Sequence, residues 1–383
     1  MKRCDYEYKR SGALLKVLVV GYLFFERNSQ RGINVISEVF AEVGAQVDFY
    51  SYPIYLWRIL GRNSKTLERK LLIGKGIVNN KRAFVLFPYS SRFSKLFIGP
   101  LRQLSILSHE LTIPRIDFSQ YDIVVIESGK PVFLAKNLNH PRIIYRMSDP
   151  ILSLAPELFE YEKQIIQKAV LVLSPNNMVK NVYSERLPDC ASKIHTWVNG
   201  FTFQESEQMC NPYILGTKNV LYLGLFPIDW DLLTYLCKNM CDVNFHVVGP
   251  HSFPRNLDIP HNLKLHGYLP HEKTYPFVKY ADAFILPYKD IPQRLKYMEL
   301  TSKILLFMKI GKPIIANSFT NAGVLEKFGI IIAKSNCSFV NLLREALNGN
   351  IKPVYNVDFD YYNISRRKEE LIRLLLKHHI IES

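Results

Sequence analysis

Apolar positions along this chain fall in short β-branched runs separated by stretches of helical spacing, the pattern of strands buried on both faces and joined by crossover helices. A first series comprises Lys16 to Gly21, Gln46 to Tyr50, Ala83 to Phe87, Asp122 to Glu127, Arg142 to Arg146, Val170 to Ser174 and Ile194 to Val198. A polar stretch containing Asn211, Pro212 and Gly216 follows. The second series is Asn219 to Gly224, Asn244 to Gly249, Leu263 to Tyr268, Ala283 to Tyr288, Pro313 to Asn317 and Gly329 to Ala333. The pattern predicts an α/β chain of two doubly wound, Rossmann-like domains, 1–203 and 219–350, joined by a linker at 204–218. A tail, 351–383, carries amphipathic spacing from Ser365 to Ile381 through Leu371, Leu374 and Leu375.

In such sheets ligands bind beyond the carboxyl ends of the strands, and two facing sheets are expected to form a cleft. The first strand ends Val19-Val20-Gly21 and runs on as Tyr-Leu-Phe-Phe-Glu-Arg, with no glycine-rich phosphate turn. That removes the main support for a dinucleotide-dependent oxidoreductase.

The chain has 383 residues, 48% of them hydrophobic and 22% charged, enough for two buried cores and unlike a disordered segment. Six scattered cysteines lack framework spacing, as expected of reduced thiols. Cys237 and Cys241 stand four apart, but no second Cys/His pair joins them at zinc-ligand spacing. The apolar run Ala13 to Phe25 is broken by Lys16 and falls short of the roughly 20 residues that a bilayer span needs. No small-residue cleavage site follows it, so the chain is expected to stay on the cytoplasmic side.

Charge changes the picture most. Of a net charge of +15, residues 1–115 hold +11, from 19 Lys+Arg against 8 Asp+Glu. Arg58 to Arg102 contains eleven basic residues and one acid, Glu68, interleaved with Tyr55, Trp57, Phe84, Phe87, Tyr89, Phe93 and Phe97. A basic, aromatic stretch of this kind suits an anionic membrane surface or nucleic acid, or is a solvated face. The sequence shows no recognition helix or aromatic-sheet module, so nucleic acid is not the expected partner.

The chemistry-bearing pattern in the second half is Leu286-Pro287-Tyr288, then Thr301-Ser302-Lys303 opening a helix that Gly311 stops before Lys312-Pro313-Ile314-Ile315-Ala316. Free amides at a helix start, two hydroxyls and one Lys make a site for a diphosphate; Thr301 as an ordinary cap and Lys303 as a surface charge is the plainer alternative. In the first half, Asp149 follows a strand at its carboxyl end with Pro150 behind it, and Glu127 ends the neighbouring strand. A carboxylate there suits a general base, or a turn or cap residue ahead of the next helix; Glu127 is the reserve for base or for orienting an acceptor, with a supporting role favoured.

These segments resemble a known family. The Lys303 helix and the Gly-Lys-Pro-Ile-Ile-Ala that follows look like the donor-binding segment of GT-B glycosyltransferases. Tyr121-Asp122-Ile123-Val124-Val125-Ile126-Glu127-Ser128-Gly129 and Ile144-Tyr145-Arg146-Met147-Ser148-Asp149 are similar to the membrane-associated β-glucuronosyltransferase of xanthan-type exopolysaccharide assembly. Phe245-His246-Val247-Val248-Gly249 adds to that likeness.

The resemblance implies a GT-B fold and inverting transfer from a UDP-sugar to a polyprenyl-diphosphate-linked oligosaccharide at the cytoplasmic membrane surface, without metal or other cofactor. Asp149 takes the place of the general base. Gly224, Phe226, Gly249, Tyr268, Leu269, Tyr288, Thr301, Ser302 and Lys303 take the places of the nucleotide-sugar contacts. The basic stretch Arg58 to Arg102 would face the anionic membrane. The chain departs from the family in having Tyr268 where the family has a Glu, and Leu306 where a polar residue is common; no carboxylate for the ribose stands in either place, and Glu299, just before the helix, is a candidate substitute. Asp229-Trp230-Asp231 matches a metal-holding Asp-x-Asp pattern, but its place at a helix start favours capping. A retaining transferase, in which Asp149 is not the base, and a nonenzymatic basic protein holding nucleic acid are the competing readings.

Overall fold

The apolar runs become thirteen strands in a computed structural model that describes residues 14–22, 25, 30–55, 78–85, 107–109, 115–202 and 209–382. In the first half they are β1 (Lys16–Gly21), β2 (Gln46–Tyr55), β3 (Val78–Val85), β4 (Ile123–Glu127), β5 (Ile143–Arg146), β6 (Leu171–Ser174) and β7 (Ile194–Thr196). In the second they are β8 (Lys218–Leu223), β9 (Val243–Val248), β10 (Leu263–Gly267), β11 (Ala283–Leu286), β12 (Ile314–Asn317) and β13 (Ile331–Ala333). The sheet orders are β3-β2-β1-β4-β5-β6-β7 and β10-β9-β8-β11-β12-β13. Within each sheet the neighbouring strands pair in parallel. The central strands are largely apolar, as strands buried on both faces must be; β4 and β5 are buried at every position, including their last residues Glu127 and Arg146.

One strand is displaced from its expected place. β3 begins at Val78, five residues before the expected Ala83, and takes in Asn79, Asn80 and Lys81. It is the edge of the sheet, where polar side chains are tolerated and the apolar signal is weak. Lys81 stands 2.6 Å from the buried Asp48 of β2, which also accepts from Tyr121 Oη at 2.8 Å. The register between β2 and β3 shifts between Ser51 and Ile54, where Pro53 supplies no N–H to the ladder. Apart from β3, the basic Arg58–Arg102 stretch lies outside the described residues. Among those described, no helix is long and apolar enough to cross a membrane.

The longer helices are α1 (Gly32–Glu42), α2 (Phe159–Lys168), α3 (Asn177–Arg186), α4 (Trp230–Asn239), α5 (His271–Tyr280), α6 (Ser302–Ile310), α7 (Asn336–Leu347) and α8 (Ile364–Lys377). The chain divides into two compact units, residues 1–199 with 365–383, and residues 200–364. Of the tail set apart by its sequence, 351–383, residues 365–383 thus pack within the first unit and 351–364 within the second. Leu371 and Leu375 of α8 are fully buried, and the carbonyl of Arg367 accepts from Trp197 Nε1 at 2.9 Å. Lys368 reaches Glu38 and Glu42 of α1 at 2.9 and 2.6 Å. The physical reason is the amphipathic face itself, which has to be buried on some surface.

Leu371→Ala and Leu375→Ala are each expected to destabilise the first unit by about 2–5 kcal/mol, the usual cost of deleting a fully buried leucine. Urea titration reads this as a lower midpoint; an unchanged midpoint in both variants would show α8 to be undocked in solution.

Candidate functional site

In each sheet the strand order reverses beside the first strand of its series, between β1 and β4 and between β8 and β11. At such a point the crossovers leave in opposite directions and the strand ends stay uncovered. The chemistry-bearing residues collect there.

In the first unit β4 delivers Glu127, almost wholly buried. One carboxylate oxygen accepts from Ser148 Oγ at 2.7 Å and the other from the Tyr22 N–H at 2.8 Å. Ser128 Oγ accepts two amides, Ser148 N–H at 2.9 Å and Asp149 N–H at 3.1 Å. Glu127 and Ser128 together hold the bend after β5 and leave the Asp149 residue exposed at its tip. The cap position of the next helical turn falls on Pro150, so Asp149 is not that turn's cap.

Arg146, the last residue of β5, is fully buried. It donates to Trp197 O at 2.7 Å and Asn199 Oδ1 at 2.8 Å, and its guanidinium lies 4.9 Å from the Trp197 ring centre. Burial pulls its pKa down to about 10, while the nearby charges of Glu127 and Asp149 act the other way. Arg146 thus sets a buried positive charge near both carboxylates. Ser128, Arg146 and Ser148 lie inside the two motifs, yet spacing gave no cue to their roles.

Behind this bend sits a second buried carboxylate. Glu162 of α2 is inaccessible to solvent and accepts from Tyr145 Oη and Tyr183 Oη, both at 2.7 Å. Tyr183 Oη in turn accepts the Leu152 N–H at 3.2 Å, three residues past Asp149. Burial raises the Glu162 pKa to about 7, although both hydroxyls favour the anion. Nothing in the sequence singled it out.

In the second unit Gly224 follows β8 and Gly249 follows β9, with φ of 141° and 149°. Backbone closes the space a side chain would need at Gly249, and the end of the Lys303 side chain fills it at Gly224. A Cβ on Gly224 would lie 2.4 Å from Lys303 Nζ, and one on Gly249 would lie 2.1 Å from Gly224 O. Lys303, half-buried in the first turn of α6, rests its ammonium 5.0 Å from the Tyr222 ring centre and 4.9 Å from that of Tyr288. No carboxylate among the described residues pairs with it. Desolvation therefore lowers its pKa to about 7.

The other expected contacts divide. Tyr288 is buried, its N–H donates to Asn317 Oδ1 at 2.9 Å, and Phe226 packs 4.7 Å from its ring. Leu269 packs against the core, whereas Tyr268 is 56% exposed. Thr301 occupies the cap position of α6 without capping through its side chain; its buried Oγ1 has no partner among the described residues. Ser302 Oγ donates to Gly200 O at 2.9 Å. Its single hydroxyl hydrogen is thus engaged, and Ser302 offers its backbone N–H rather than its hydroxyl. Leu306 is buried and Glu299 half-buried, with desolvation raising the Glu299 pKa.

Asp229 caps α4, accepting from the Leu232 N–H at 3.0 Å, as its place at a helix start led one to expect. Cys237 is buried and Cys241 exposed. Among the described residues no group of three or more His, Cys, Asp or Glu is placed to hold a metal ion.

Residues 22–175 match the family of the N-terminal domain of glucuronosyltransferase GumK, the stretch that contains the Glu-Ser-Gly and Tyr-Arg-x-Ser-Asp elements. No curated protein sequence gives a significant match. Among solved structures, sucrose-phosphate synthase from Thermosynechococcus elongatus aligns with a TM-score of 0.59 at 12% identity, over 94% of either chain. HepE from Anabaena, in complex with UDP and glucose, aligns with a TM-score of 0.57 at 14% identity, over 94% of this chain and 99% of its own. UDP-GlcNAc 2-epimerase from Neisseria meningitidis, bound to UDP-GlcNAc, gives 0.55 at 13% identity, over 95% and 100%. Identities this low speak to the fold alone, and the fold is the expected two-domain GT-B architecture.

Glu162 allows a direct test of the first unit. Its folded pKa, about 7, lies above the unfolded carboxyl value, so the folded state holds the extra proton between the two. Its contribution to stability is complete below the unfolded value and is lost as pH rises towards 7. Urea unfolding across that window should show the loss, and Glu162→Gln should flatten it; an equal slope in the variant would assign the effect elsewhere.

Proposed function

We propose that this chain, a GumK-like glycosyltransferase of the GT-B fold, moves a sugar from a UDP-sugar to a hydroxyl of a lipid-linked oligosaccharide, with inversion at the anomeric carbon. The observation that carries this reading is the desolvated Lys303 ammonium. It fills the space beside Gly224 that a Cβ would take and faces two tyrosine rings, and no carboxylate among the described residues neutralises it. A site built in this way lacks an anion. The open N–H groups of the first turn of α6 favour the same charge. Two of the structural neighbours bind UDP or a UDP-sugar, which supports a diphosphate nucleotide as that anion.

Asp149 is the base in this proposal. Its carboxylate takes the acceptor hydroxyl's proton as that oxygen attacks the anomeric carbon and the bond to the diphosphate breaks. Negative charge then develops on the departing phosphate, where Lys303 and the helix amides stabilise it. Glu127 and Ser128 fix the bend that carries the base, and Arg146 sets a positive charge near it. The family match supports glucuronic acid as the first donor sugar to test. Exopolysaccharide or capsule synthesis, with Arg58 to Arg102 resting on the anionic cytoplasmic membrane face, completes the proposal.

Asp149→Asn is expected to lower the transfer rate by a factor on the order of 10² to 10⁴ while leaving UDP affinity unchanged. A fully active variant removes Asp149 as base, and the anomeric configuration of the product separates inverting from retaining transfer. Lys303 sets a pH dependence. Below about 7 it is charged in the free protein, whereas above that value UDP binding has to draw in a proton. Calorimetric UDP affinity should therefore fall as pH rises above about 7, approaching tenfold per unit. Lys303→Ala should bind weakly at every pH; undiminished affinity in that variant would sink the diphosphate assignment.

A further inference from the structure

His251 lies on the loop after β9 and takes no part in the contacts expected from the sequence. Its Nε2 is 2.7 Å from Gly224 O, and its own N–H donates to Gly249 O at 2.8 Å. A carbonyl only accepts, so Nε2 carries the hydrogen. The ring is fixed by Tyr222 at 5.6 Å and Trp230 at 6.4 Å between centres. Gly249 belongs to the same arrangement: a Cβ there would lie 2.1 Å from Gly224 O and 3.0 Å from His251 Cδ2.

In a trans peptide the C=O and the following N–H point in opposite directions. Holding Gly224 O against His251 therefore also fixes the N–H of Leu225. Gly224 N–H is already engaged with Val248 O at 2.9 Å, which anchors the other end of the residue. Leu225 is 67% exposed, and its N–H meets no acceptor among the described residues. Lys303 Nζ lies against the Cα of the same Gly224.

We infer that His251 is a positioning residue of the donor site: it clamps the Gly224–Leu225 peptide so that the Leu225 N–H and the Lys303 ammonium address one anion, the diphosphate of the nucleotide sugar. This rests on the donor-site reading above. Burial and the neighbouring Lys303 lower the His251 pKa, so the ring orients the peptide as a neutral donor. A variant that keeps an N–H donor should therefore keep much of the function.

The experiment compares wild type, His251→Ala, His251→Gln and Lys303→Ala by UDP calorimetry and by donor KM and kcat. It also follows the Leu225 amide resonance of leucine-labelled protein as UDP is added. His251→Ala is expected to weaken UDP binding about tenfold, the scale of one hydrogen bond, through KM and not kcat, and His251→Gln to recover most of the loss. The Leu225 amide should shift on UDP addition in wild type and stay still in His251→Ala. Normal UDP affinity in His251→Ala, with Lys303→Ala impaired, overturns the inference and leaves the donor site standing. Full affinity in both variants overturns the donor-site reading itself. A wild-type Leu225 amide that ignores UDP overturns the inference even if His251→Ala fails to fold.

Discussion

A parallel sheet whose strand order reverses cannot cover its own centre, and this constraint sets up everything functional in the chain. Crossover connections are right-handed, so helices on either side of the reversal leave in opposite directions and the strand ends between them stay open. Backbone amides and charged side chains that would be too costly in the core are tolerable there. Both sheets reverse beside their first strand, and both put their glycines and charges at that point.

The two units use the opening in opposite electrostatic ways. In the first, charge is answered from within: Arg146 is engaged by two carbonyls and an amide and sits close to Glu127 and Asp149. Breaking such a buried arrangement by removing one partner typically costs about 3–5 kcal/mol, so Arg146 ties the end of β5 firmly to Trp197 and Asn199. In the second unit, Lys303 meets aromatic faces and a glycine and, among the described residues, no anion. A satisfied cluster is rigid and can position a proton acceptor. An unsatisfied cation gains by binding something negative.

The fold by itself would not separate these uses. A sucrose-phosphate synthase and a UDP-GlcNAc 2-epimerase share the architecture at similar TM-scores. Function resides in the sites set on such a fold. The family match over residues 22–175 therefore weighs more for this chain than overall shape, because it spans the strands that deliver Glu127 and Asp149.

The sequence alone determined the strands, since a strand buried on both faces has to be apolar whatever its surroundings; only the polar edge strand β3 was misplaced. It also determined that Asp149, Gly224 and Gly249 follow strand ends and that Lys303 opens a helix, because that depends on local spacing. Tertiary structure decided what those residues meet. That Lys303 lies against Gly224 and two tyrosines, that Ser302 commits its hydroxyl to Gly200, that His251 holds Gly224 O and that α8 returns to the first unit are contacts between segments distant along the chain. No local pattern encodes them, because they arise from the order in which strands are laid into a sheet, and that order is fixed by the burial of all the segments at once.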